Sequence, residues 1–112
     1  MKFHKEIKIP KLDRTDIRIK LDDFGFQFRT MRSECILEDK LETTNTYTKY
    51  QFIISDESVE VRCNGDYNAF HMMSTIAKIF ELKIFESRWL RSDIGYPTTW
   101  EKRDLETGQK VA

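Results

Sequence analysis

The side chains best suited to metal or nucleophilic chemistry are two cysteines, Cys35 and Cys63, and two histidines, His4 and His71. A structural zinc site needs about four ligands, usually supplied as close pairs along the chain. None of these four residues has a partner at that spacing, so folding would have to gather all of them. Buried, reduced thiols fit the cysteines better, with a Cys35–Cys63 disulfide as the alternative. His71 falls on the polar stripe of a helix, and the sequence places no second titratable group beside it to make it a general base. The chain has neither a serine in a nucleophile elbow nor a glycine-rich phosphate loop. The expectation is a protein that is not an enzyme and uses no metal and no cofactor.

Two short motifs invite a closer look. Asp23-Phe24-Gly25 matches the three-letter metal-binding signature of protein kinases. The chain lacks the length, the glycine-rich loop and the catalytic loop that such an enzyme needs. Gly25-Phe26-Gln27-Phe28 resembles in part the aromatic strand of RNA-recognition motifs, whose exposed rings stack on bases. Gln27 stands where a small residue belongs, the last ring is missing, and the segment precedes the main helix instead of following one. Core packing is the expected role of these phenylalanines, and no family is identified.

Two sets of residues have the character of binding surfaces. The outward positions of four expected strands carry Arg18, Lys20, Arg29, Lys49 and Arg62, with Glu60 as the acidic exception. The other carboxylates gather in turns at Asp22-Asp23, Glu38-Asp39 and Asp56-Glu57. If those strands share one sheet, its face is basic and suits a phosphate backbone or an acidic protein; the plain alternative is a solvated face. The second set is Trp89, Arg91, Tyr96 and Trp100, in residue types enriched at interface hot spots. Gly95 and Pro97 between them would hold a turn and let Tyr96 and Trp100 project.

The elements that must position these residues follow from periodicity. Phe3–Ile9 reads as a strand with Phe3, Ile7 and Ile9 on one face, closed by Pro10. Asp16–Leu21 alternates, with Ile17, Ile19 and Leu21 inward, and Phe24–Met31 alternates again, which together suggest a hairpin. A competing reading makes Asp13–Phe24 a helix with Ile17, Leu21 and Phe24 on one stripe. Glu42–Thr46 reads as a loop, Tyr47–Ser55 and Ser58–Asn64 as strands, and Asp56-Glu57 as the turn between them. Asp66–Leu82 is the secure helix, with Asp66 as its N-cap. Phe70, Met73, Ile76, Ala77 and Phe80 form its broad apolar face, too wide for a helix covered on one side only. Lys83–Arg91 returns as a strand, and a C-terminal arm at about 92–112 follows.

At 112 residues the chain suits a single domain. Eight Phe, four Tyr and two Trp supply its core volume. The 19 basic and 19 acidic side chains cancel, which removes any global pull toward phosphate. No apolar run approaches the roughly 20 residues that span a bilayer, and Met1–Lys11 lacks the apolar core of a signal peptide. These features lead to an expected cytoplasmic location without membrane association. The expected fold is α+β: a mainly antiparallel sheet of about five to seven strands, with one long helix over about residues 66–82. The expected function is non-catalytic binding of a macromolecule, foremost a protein, in the manner of an inhibitor, immunity or adaptor protein. A nucleic-acid-binding domain is the alternative.

Overall fold

The computed structural model describes residues 2–26, 28–30, 39–43, 50–91 and 95–111, with the backbone alone described at 28–30 and 39–43. Among the described residues the elements are β1 (Phe3–Lys8), α1 (Arg14–Phe24), β2 (Phe28–Thr30), β3 (Asp39–Thr43) and β4 (Gln51–Ser55). They continue with β5 (Ser58–Cys63), α2 (Asp66–Ile79), β6 (Ile84–Trp89) and β7 (Glu101–Asp104). The strands form one antiparallel sheet in the order β2-β3-β4-β5-β1-β6-β7. Both helices pack on one face of it. Without the β2–β3 pair, the chain order β1-α1-β4-β5-α2-β6 with β4-β5-β1-β6 side by side is the split β-α-β layout. The fold is thus α+β as expected, with two helices where one was expected.

The second helix corrects the strand reading of Asp16–Leu21. Asp13 caps α1, its Oδ1 accepting the Asp16 N–H at 2.8 Å, and Gly25 closes it at φ 113°. These local signals at either end outweigh the alternation of Ile17, Ile19 and Leu21. Ile17 and Leu21 are buried, whereas Ile19 stands 52% exposed, as a helical period requires and a strand forbids. The β4–β5 turn anchors the helix start: Asp56 Oδ1 accepts the Arg14 N–H at 2.8 Å, and Leu12 O accepts the Glu57 N–H at 2.8 Å.

Other boundaries move as well. Phe24 ends α1 and Gly25 caps it, so the expected strand Phe24–Met31 does not begin at Phe24; within it the described residues form β2 (Phe28–Thr30). Glu42 and Thr43, expected in a loop, lie in β3. α2 is capped by Gly65 with no side-chain cap; Asp66 is its first residue and turns Oδ1 to the Tyr67 N–H. The helix stops at Ile79 because Glu81 turns left-handed, at φ 56°, and Leu82 N–H bonds back to Ala77 O at 2.8 Å.

The core lies between the sheet and the helices. Ile7, Phe52, Ile54, Val59, Val61 and Phe85 face Ile17, Leu21, Met73, Ile76 and Ala77. Phe80 is buried at the end of α2, but Phe70, from the same expected apolar face, is only half-buried.

Candidate functional site

The sheet separates residues that the sequence reading had grouped. Register places Lys5 opposite Trp89, and Ile7 opposite Ser87 and Val59, all on the helix side. Glu6 opposite Arg88, and His4 opposite Arg62, lie on the far side. Trp89 is buried on the helix side, where Tyr96 stacks on it at 4.6 Å between ring centroids. The Tyr96 hydroxyl donates to Asp66 Oδ2 at 2.8 Å, and this bond is the main cause that raises its pKa. Tyr96 therefore belongs to the edge of the core and does not project. Arg91 is exposed just after β6.

Trp100 lies on the far side. Lys8 Nζ stands 4.3 Å, and the Arg88 guanidinium carbon 4.5 Å, from its ring centroid. Each cation is tied to a carboxylate on the adjacent strand, Lys8 to Glu86 at 2.7 Å and Arg88 to Glu6 at 3.1 Å. The hydrogen bond from Lys8, opposed by burial, holds the Glu86 carboxyl below its ordinary pKa. Lys102 reaches the same carboxylate at 3.6 Å. Opposite charges directly across a ladder support strand pairing, and cations over a tryptophan face add attraction. The result is a half-buried indole held in place within a lattice of ion pairs.

The basic face does not assemble as expected. Arg18 and Lys20 stand on α1, on the helix side of the sheet, because the segment is helical. Lys20 Nζ lies 5.5 Å from the Phe80 ring centroid. Arg62 is on the far side, its Nε donating to Glu60 Oε1 at 3.1 Å. Backbone register sets Arg29 opposite Glu42. Lys49 lies outside the described residues, as does Cys35. Cys63 is a buried free thiol on the helix side and His4 lies on the far side, so the sheet stands between two of the four residues considered for a metal.

The sequence reading missed a polar cluster under α2. Lys5 is 1% exposed, with Nζ 4.5 Å from the ring centroids of both Phe70 and Trp89. Burial lowers its pKa to about 8, with Glu101 countering and Arg103 assisting. Glu101 accepts from Arg103 at 3.3 Å and pairs with Lys110 at 3.2 Å. Burial works to raise the Glu101 pKa, but Lys110, Arg103 and Lys5 together bring it below the ordinary value. Lys5 Nζ, Arg103 Nε and Ser87 Oγ are buried without a hydrogen-bond partner among the described residues. Strand alternation carried the signal: Lys5 occupies the inward register of Phe3 and Ile7.

Beside this cluster, a groove of about 650 Å³ runs between α2 and the turn after β7, lined by His71, Ser74, Lys78 and Leu105 among others. It shares His71 and Ser74 with a chamber of about 290 Å³ walled by Phe70, Met73, Phe85 and Arg103. No helix among the described residues is long and apolar enough to cross a membrane. Compared with protein-family models, curated proteins and solved structures, the chain matches none of them.

Proposed function

We propose that the protein is a non-catalytic binding protein that engages another protein through the sheet face around Trp100. The observation that carries this reading is the indole clamped by Lys8 and Arg88. A tryptophan ordered before binding loses little conformational freedom on docking, and tryptophan and arginine dominate interface hot spots. The surrounding pairs, Lys8–Glu86 and Arg88–Glu6, keep their side chains between 18% and 42% exposed. Such a face suits a partner of mixed charge with an apolar centre. It offers little net attraction to a phosphate backbone, which weighs against the nucleic-acid reading.

The test is affinity capture from lysate with the native chain and with Trp100→Ala, read by mass spectrometry and by nucleic-acid content. A protein captured by the native chain and lost with Trp100→Ala, at both low and moderate salt, is the expected result. Capture unchanged by the substitution overturns the site. Capture dominated by nucleic acid and abolished by salt overturns the choice of partner.

A further inference from the structure

The polar cluster beneath α2 is out of balance. Among the described residues three cations, Lys5, Arg103 and the largely exposed Lys110, share the single carboxylate of Glu101. Two of them address the same ring: Lys5 Nζ lies 4.5 Å, and the Arg103 guanidinium carbon 5.5 Å, from the Phe70 centroid. Arg103 spends its terminal nitrogens on Gly108 O and Glu101, which leaves Nε buried and without a partner among the described residues. A buried cation without full compensation is costly, and so is a buried donor without an acceptor. A fold that keeps both at one place has a use for them. The chamber beside Arg103 supplies the room: Arg103 and Phe70 form part of its wall, Met73 and Phe85 make it apolar, and Lys5 stays outside the lining, against the Phe70 ring.

We propose that this chamber binds a small organic carboxylate, its acid group on Arg103 Nε and Lys5 and its apolar body against Met73 and Phe85. Phe70 is the shutter between the chamber and Lys5. It is half-buried, at one wall of the chamber, and its ring covers the lysine. The carboxylate supplies the acceptors that Nε and Nζ lack and neutralises part of the excess charge. The wider groove toward His71 and Ser74 leaves a path for entry and for a longer ligand. This site lies on the opposite side of the sheet from Trp100 and does not depend on the docking surface.

Benzoate is the probe, since it combines a carboxylate with a flat apolar body of suitable size. Trp89, 4.5 Å from Lys5 Nζ, reports occupancy by fluorescence once Trp100→Phe has removed the second indole. Saturable change in the millimolar range, with a matching rise in melting temperature, is expected. Lys5→Met and Arg103→Gln should each weaken binding by about tenfold or more, as expected when a charged hydrogen bond is removed. Binding should also weaken as pH rises above about 8, where Lys5 loses its charge. No saturable response to benzoate, or binding by both variants as tight as by the native chain, overturns the proposal. Inorganic phosphate binding as tightly as benzoate overturns the ligand class, because the apolar wall would then contribute nothing. If Lys5→Met does not fold, Arg103→Gln decides.

Discussion

Trp89 and Trp100 lie on opposite faces of the same sheet. Trp89 is 4% exposed and packs against Phe3, Phe70 and Tyr96, whereas Trp100 rests on Lys8 and Arg88. The two indoles should therefore respond differently to truncation. Trp89→Ala should cost about 3–5 kcal/mol, the usual cost of emptying a large aromatic site in a core. Trp100→Ala should cost about 1–2 kcal/mol, the loss of two cation–ring contacts. Urea melts of the two variants measure the difference, and equal losses would place Trp100 in the core.

Lys5 should make stability depend on pH. Its pKa falls from 10.5 unfolded to about 8 folded because burial disfavours the cation. Between those values the unfolded chain binds more protons, so this contribution to stability rises with pH. Below about 8 both states are charged and the cost is complete, at about 3 kcal/mol. Above 10.5 both are neutral and the cost vanishes. Lys5→Met should stabilise the protein at neutral pH by about 1–3 kcal/mol, and its advantage should shrink between pH 8 and 10.5. Comparison with the native chain at each pH removes the opposing effects of Cys63 and Tyr50, whose pKa values burial raises.

Ile17 and Ile19 distinguish a helix from a strand. Ile17→Ala should cost about 2–4 kcal/mol, because Ile17 is fully buried. Ile19→Ala should change stability by less than about 0.5 kcal/mol, because the side chain is half exposed. A strand would put both side chains on one face and make the two losses alike. Thermal melts of the pair decide between the two.

Cys63 should react slowly with thiol reagents until the protein unfolds. Burial raises its pKa, and its Sγ lies 3.2 Å from Gly65 O as a hydrogen-bond donor. Thiolate is the reactive form. Mass spectrometry of alkylated peptides with and without denaturant measures the ratio of rates; equal rates would contradict the burial.

Glu81 ends α2 in the left-handed region, at φ 56°. A side chain there costs about 1 kcal/mol that glycine does not. Glu81→Gly should therefore stabilise the protein by a few tenths to about 1 kcal/mol in a urea melt, unlike glycine placed within the helix.

The legible parts of this fold were those where local chemistry and periodicity agreed. Val59, Val61 and Cys63 alternate inward in β5, which stands where expected, and Phe70 to Ala77 repeat at helical spacing in α2, which starts at the expected Asp66 but ends at Ile79, short of Leu82. Ile17-Arg18-Ile19-Lys20-Leu21 satisfies both periods, and only the Asp13 cap and Gly25 resolve the ambiguity. The grouping of Trp89, Tyr96 and Trp100 failed for another reason. Closeness along the chain does not determine which face of a sheet a side chain takes, and Trp100 immediately precedes a strand whose register sends it away from Trp89. Lys5 was overlooked because charge suggests solvent, although its register matched Phe3 and Ile7.

The interior place of β1, between strands made much later, bears on how the molecule assembles. Its neighbours are β5 and β6, with Phe3 set against Cys63 and Lys5 against Trp89. β1 precedes both of its sheet neighbours along the chain and must wait for each of them to be made. Until Trp89 has been made, one side of β1 has no partner and remains a template for mispairing. Closure over such long separations is slow. A chain cut before β6 should therefore remain soluble only with help, its first strand available to any chaperone that recognises an open strand edge.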